Sequence, residues 1–260
     1  MNLYYETQGT GEPLILIPGF ASGAWSWLCQ IEDLSSDFQV IVFDPRGIGR
    51  SEASDGDLGN LSMETFIADV KRILDTLKIE KAHVLGASFG GFVAQEFALE
   101  SPERVAKLIL ACTTFGGVNH VKPDIEILRS FAPDSTLPTG EKIRRFIRPA
   151  FTEDFNREHA AEVEQVCRLR ERNEVADAVY SAQLSSAFSL DTEGKLGAIE
   201  SETLIITGDQ DSVVPMENSL NLAKKIRGAK LEIIKNGSHL FFIENAAEFN
   251  RTIKDFLINL

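Results

Sequence analysis

The feature that most constrains this chain is its alternation of short apolar runs with longer amphipathic stretches. Leu14–Ile17, Gln39–Phe43, Ala82–Ala87, Val105–Thr113, Thr203–Thr207 and Lys230–Ile234 read as strands. Trp25–Leu34, the segment after Ser88 to about Glu100, Met216–Ile226 and Ala246–Leu260 read as helices. Met63, Phe66, Ile67, Val70, Ile73, Leu74 and Leu77 recur at steps of three and four, which defines one helix face behind an N-cap at Ser62. Strands separated by such helices predict an α/β fold, a mostly parallel sheet flanked by helices.

The rhythm breaks between Phe115 and Ile199, where no run reads as a buried strand. Thr152–Asn173 reads as one long helix. Thr152 caps it, Glu153 and Asp154 meet the positive end of its dipole, and Phe155, His159, Val163, Val166 and Leu169 share a face. Pro123, Pro133, Pro138 and Pro149 punctuate shorter helices before it. The expected organisation is therefore a core domain made of 1–114 and 200–260, with a helical insertion over 115–199.

Composition removes several function classes. A chain of 260 residues that is 43% hydrophobic and 25% charged can bury a full core, which excludes disorder as its main state. No run approaches the roughly 18 uncharged apolar residues of a membrane span. A net charge of −13 disfavours nucleic acid and anionic membrane surfaces as partners. Cys29, Cys112 and Cys167 are far apart, with neither zinc spacing nor a disulfide framework. Met1–Thr7 has no basic or apolar leader pattern. The expectation is a cytoplasmic protein, with a homodimer compatible.

The chemistry concentrates at Gly86-Ala87-Ser88-Phe89-Gly90, followed by Gly91, between a predicted strand and a predicted helix. A nucleophile elbow needs this context, because its strained turn tolerates only small residues two before and two after the serine. A serine hydroxyl then needs a base, and the base an orienting acid. Four histidines compete for the first role. His83 lies inside a strand and reads as structural, His120 as solvent-facing, and His159 as core or cavity wall on its helix. His239 follows the turn Asn236-Gly237-Ser238 at the carboxyl end of a late strand, where α/β sheets carry their active groups. It is the expected general base. Asp211, just past Gly208, is the expected acid. Asp209 competes, with a turn-stabilising role as its bland alternative. The oxyanion donors are expected to be the N–H groups of Phe89, after the nucleophile, and of Phe20 in Pro18-Gly19-Phe20-Ala21. No metal or organic cofactor is called for. Trp25, Phe115, Val214 and Leu240 flank these motifs as candidate substrate contacts, each with core packing as the competing reading. Arg144, Arg145 and Arg148 are either a solvated face or a site for an anionic substrate.

Taken together these blocks resemble the α/β-hydrolase superfamily. The resemblance includes Phe43-Asp44-Pro45-Arg46-Gly47-Ile48-Gly49-Arg50-Ser51, similar to a D-x-R-G-x-G-x-S turn found in many members. It implies an eight-stranded sheet, with the insertion as a helical cap over the active site. Two positions depart from the pattern: Pro18 stands where many relatives have His, and Ala87 where many have His or Asn. The second departure weakens the analogy to C–C bond hydrolases. Serine at the elbow, where an aspartate would imply alkyl-enzyme chemistry, points to acyl transfer. The expected activity is hydrolysis of a small, largely apolar carboxylic ester. Enol-lactone opening or C–C hydrolysis on the same triad is one alternative, and a slow-turnover small-molecule receptor another.

Overall fold

The computed structural model describes residues 2–52, 61–132, 136–173 and 175–258. Pro133 and the last two positions of the helix expected to reach Leu260 lie outside the described residues. Among the described residues seven strands form one sheet: β1 Tyr5–Gln8, β2 Glu12–Ile17, β3 Phe38–Phe43, β4 Ala82–Ala87, β5 Val105–Ala111, β6 Glu202–Gly208 and β7 Lys230–Ile234. Their order is β1-β3-β2-β4-β5-β6-β7, with β1 antiparallel to β3 and all other pairs parallel. Strand β4 is buried along its whole length, and β5 and β6 nearly so. A parallel sheet covered on both faces requires such continuous apolar runs, which is why they were readable.

The helices among the described residues are α1 Ile31–Leu34, α2 Met63–Thr76, α3 Phe89–Glu100, α4 Ile125–Ser130, α5 Thr139–Ile147, α6 Glu153–Glu158, α7 Ala160–Arg172, α8 Asp177–Ser189, α9 Glu217–Lys225, α10 Phe241–Glu244 and α11 Ala246–Ile258. Alternating residues of β2 feed two cores. Ile15 and Ile17 join Phe66, Val70, Phe92 and Phe97 of α2 and α3, whereas Leu14 and Leu16 join Trp27, Phe249 and Ile253. No helix among the described residues is long and apolar enough to cross a membrane.

Several expectations change. The sheet has seven described strands where the resemblance implied eight. Strand β1 is a polar, mostly exposed edge strand that carries no apolar alternation. The residues before it dock on the Asp44–Ser51 turn: the Tyr4 N–H donates to Ser51 Oγ at 2.8 Å and the Asn2 carbonyl accepts from Glu52 N–H at 3.1 Å. The helix expected over Trp25–Leu34 is a 3-10 turn at Ala24–Trp27 followed by α1. Between them the buried Gln30 side chain reaches away to the Phe242 carbonyl and to Asn250.

Between β5 and β6 lie helices α4 to α8. The helix expected over Thr152–Asn173 is two, α6 and α7. Thr152 does cap the first, accepting from Phe155 N–H at 3.1 Å. The break falls at His159, whose backbone (φ −119°, ψ 35°) is not helical. His159 is exposed, pairs with Glu162 and stacks on Phe155 at 4.5 Å. It is neither core nor cavity wall, because the ring packs along the outside of the break.

Candidate active site

Strand β4 passes into α3 through Ser88, which adopts φ 53° and ψ −118°. That left-handed backbone is rare for a non-glycine residue and is held by its surroundings. A Cβ on Gly86 would lie 2.3 Å from the Gly90 carbonyl oxygen, and one on Gly90 would lie 2.1 Å from that of Ile17. Both positions therefore require glycine, and the spacing read from the sequence has a steric cause. Phe89 is the first residue of α3, so its N–H has no partner within the helix and is free to serve as an oxyanion donor. Its ring turns into the core against Phe66 and Phe92.

The loops after β6 and β7 are packed backbone to backbone. A Cβ on Gly208 would lie 2.1 Å from the Gly237 carbonyl oxygen, and the Gln210 N–H donates to that oxygen at 2.9 Å. This contact carries Asp211 to His239. The His239 Nδ1–H donates to Asp211 Oδ2 at 2.8 Å and lies 3.0 Å from Oδ1. Asp211 Oδ1 also accepts from the N–H groups of Val213 and Val214, at 2.9 and 2.8 Å. The carboxylate is thus fixed from both sides and completely shielded from solvent. With Nδ1 committed to Asp211, Nε2 is the ring nitrogen left to exchange a proton. The competing Asp209 is exposed. Ser88 and His239 line the same cavity, which is walled mainly by apolar side chains.

Cys112, at φ 42° just after β5, is an unexpected neighbour. Its sulfur lies within 4.8 Å of donor atoms of Asp211 and His239. Burial first, and then the Asp211 charge, push the thiol well above its ordinary range. A metal would need the thiolate, and Asp211 and His239 are already paired, so this trio does not suit a metal.

The loop Gly19–Ser22 passes beside the nucleophile: a Cβ on Gly19 would touch Ser88 Cβ at 3.5 Å. Phe20, Trp25 and Leu240 line the cavity. Phe115 does not. It is fully buried in the core, with Lys225 over its ring at 5.5 Å. Val214 does not line it either, because its backbone supports Asp211 while the neighbouring Val213 faces the cavity. The inserted helices contribute Ile127, Phe146, Ile147 and Val166, and Phe131 follows α4. These were missed, although Ile143, Phe146 and Ile147 do show helical spacing. Arg144 pairs with Glu164, Arg145 donates to the Arg129 carbonyl at 3.0 Å, and Arg148 is exposed. None of the three lines the cavity, whose described lining has His239 as its one ionisable side chain. The Asp44–Ser51 turn is structural. Asp44 accepts from Ala24 N–H at 2.8 Å and from Arg50, and Arg46 pairs with Asp69.

Ser88 follows β4, Asp211 follows β6 and His239 follows β7, so the three stand at the carboxyl ends of parallel strands, and residues of the inserted helices line the cavity that Ser88 and His239 share. Residues 12–246 match the alpha/beta hydrolase fold family, and the chain belongs to that family of hydrolases. It is 30% identical over 98% of its length, and 91% of the relative's, to the 2-hydroxy-6-oxo-6-phenylhexa-2,4-dienoate hydrolase of Comamonas testosteroni. Among solved structures it is similar to the meta-cleavage product hydrolase of Pseudomonas fluorescens IP01. That match has 27% identity and a TM-score of 0.83, over 98% of this chain and 93% of that one. It is also similar to a thermophilic esterase of Thermogutta terrifontis, with 28% identity and a TM-score of 0.80 over 98% and 92% of the chains.

Proposed function

We propose that this chain hydrolyses a carbon–carbon bond next to a ketone in a small, largely apolar substrate, through an acyl-enzyme on Ser88. This moves the ester expectation to second place, because several relatives are named as hydrolases of 6-oxo dienoates or dienedioates, whose chain offers a ketone and no ester, although others are named for carbamate hydrolysis. The observation that carries the catalytic part is the Asp211–His239 pair, its carboxylate fixed by two backbone N–H groups and its imidazole lining one cavity with Ser88. In the proposed sequence His239 Nε2 takes the Ser88 proton as Oγ attacks the carbonyl carbon. The N–H groups of Phe20 and Phe89 meet the oxyanion. Collapse breaks the C–C bond, and the departing carbon, conjugated to a second carbonyl of the substrate that accepts the electron pair, leaves as an enolate and takes the proton from His239. Water then attacks the acyl carbon with His239 again as base. Its hydroxyl completes a carboxylic acid, and Ser88 recovers its proton. The chain's own residues carry every proton in this sequence. The free cysteines accord with the reducing, cytoplasmic setting expected from the sequence.

Simple ester hydrolysis is the second reading. It is favoured by Ala87 before the nucleophile and by a described cavity lining without a cation, where the dienoate of the relative's name would leave its carboxylate unpaired. The test is a panel assayed on wild type and Ser88→Ala: a 6-oxo-6-phenyl dienoate, short- and long-acyl p-nitrophenyl esters, lactones and amides. Higher Ser88-dependent kcat/KM on the ketone supports the first reading, and higher values on the esters put the second in its place. A stoichiometric acyl adduct that persists in mass measurement would instead mark a slow-turnover receptor.

A further inference from the structure

Two buried polar side chains of the inserted helices end on the oxyanion loop. Gln183 of α8 is 1% exposed, and its Oε1 accepts from the Ala21 N–H at 2.6 Å. Arg170 of α7 is 7% exposed, and its Nη1 donates to the Phe20 carbonyl at 3.0 Å and reaches Ser22 Oγ at 3.2 Å. The Phe20 carbonyl and the Ala21 N–H are the two ends of one peptide group. That group is therefore gripped from both sides by residues about 150 and 162 positions away in the chain. The Phe20 N–H, the proposed oxyanion donor, belongs to the adjacent peptide group, one Cα away.

We propose that Arg170 and Gln183 are positioning residues that hold the Phe20 N–H in its donating geometry, so that the inserted helices complete the oxyanion hole. The inference rests on the acyl-enzyme reading above. The loop needs such a hold. Ala21 sits at φ 48°, a region unfavourable for a residue with a Cβ, and it cannot relax while both ends of its preceding peptide are fixed. The hold is also costly to build. Among the described residues the Arg170 guanidinium bonds no carboxylate, and burial pulls it down to about 10. A buried cation without an acidic partner is costly and an apolar residue would pack at lower cost, so the directed N–H bonds to the Phe20 carbonyl and Ser22 are what this arginine supplies. Aromatic contacts align the same loop: the Phe20 ring meets Tyr180 edge-on at 4.8 Å, and the guanidinium lies 5.2 Å from the Phe146 ring. Phe146 lines the cavity, so one ring touches both the substrate space and the clamp.

The test compares Arg170→Met, Arg170→Lys and Gln183→Met with wild type on p-nitrophenyl acetate and on the best substrate of the panel. Losing an oxyanion donor costs about 10²–10³ in rate, and misplacing one by an ångström costs on the order of 10². The two methionine variants should lose roughly 10- to 100-fold in kcat with KM changed little. Arg170→Lys, which keeps one donor toward the Phe20 carbonyl, should recover part of that loss. An aryl trifluoromethyl ketone, which forms a tetrahedral oxyanion on the serine, should bind less tightly by a similar factor. A neutral aromatic alcohol of the same size should bind unchanged. Amide exchange at Ala21 should accelerate in Gln183→Met while exchange in the sheet does not. Folded methionine variants that keep both kcat and trifluoromethyl-ketone affinity would overturn the proposal, as would an Arg170→Lys no better than Arg170→Met. If Arg170→Met does not fold, Gln183→Met decides. A wild type without Ser88-dependent turnover would defeat the functional reading instead, and Ala21 exchange would still judge the clamp.

Discussion

The cavity has a floor and a roof, and they are specified differently. The floor consists of strand ends, where backbone meets backbone. Gly86 against Gly90, Gly90 against Ile17 and Gly208 against Gly237 leave no room for a Cβ. Such contacts fix which residue types are allowed at short, regular spacings. The roof consists of α4 to α8, held to the floor by side chains such as Arg170 and Gln183 and by apolar rings. Many sequences could supply a roof of that kind. The floor is therefore the part expected to carry bond making, and the roof the part expected to tune it.

The largest predicted effect tests the floor. Ser88→Ala should lower kcat by up to ~10⁶, since the members of a triad act as a unit. Retention of most activity in a purified, folded variant would remove Ser88 from the mechanism. Asp211→Asn should cost roughly 10⁴, by disturbing the tautomer that leaves Nε2 free. The exposed Asp209→Asn should stay close to wild type in the same assay. A reversed order would show that the carboxylate bonded to His239 is not the one that matters.

Gly90→Ala tests the steric claim apart from chemistry. The added methyl would sit 2.1 Å from the Ile17 carbonyl oxygen, so strand β2 or helix α3 must shift. Overpacking of this kind typically costs about 1–3 kcal/mol, and more where backbone must move. Gly197→Ala is the control, because nothing lies within 4 Å of its added carbon. Equal denaturation midpoints for the two variants would mean that the elbow is looser than its contacts imply.

The same contrast explains what was legible in the sequence. Strands β4 and β7 are bounded as their apolar runs suggested, and the resemblance to the hydrolase fold followed from motifs that the backbone enforces. The polar edge strand β1 carried no such signal, because one neighbour and open solvent suffice for it. In the roof, the apolar spacing across 152–173 matched a single helix although the chain breaks at His159. Periodicity reports which face is buried, not whether the axis is continuous. Phe115 and Val214 adjoin site motifs in sequence, yet one packs inward and the other serves through its backbone. Adjacency does not determine which way a side chain points. The clamp residues were invisible for a plainer reason: their partners lie about 150 positions away.

A smaller effect should come from the roof itself. Phe131→Ala removes a ring that lines the cavity and packs edge-on against Phe146 at 4.9 Å. Removing buried apolar surface of that size costs about 2 kcal/mol of binding if the substrate uses it. KM for a phenyl-bearing substrate should therefore rise on the order of ten-fold or more, with kcat held nearer to wild type. A fall in kcat at constant KM would place Phe131 with the clamp instead of the substrate surface.

The smallest effect concerns the basic stretch at the C-terminal end of α5 and just beyond it. Arg144, Arg145 and Arg148 could have formed an anion site, and the relative named for a dienoate makes that idea attractive. The geometry argues otherwise. The Arg144 fork is occupied by Glu164, which holds the arginine above and the glutamate below their ordinary ranges, and Arg145 is spent on a backbone carbonyl. Arg148 is exposed and lies outside the cavity lining. An exposed cation separated from a bound carboxylate by water and salt contributes little. Arg148→Ala should therefore change kcat/KM by less than about two-fold for a neutral ester and for its carboxylate-bearing analogue alike. A selective loss on the charged analogue, growing as ionic strength is lowered, would show that the roof reads charge as well as shape.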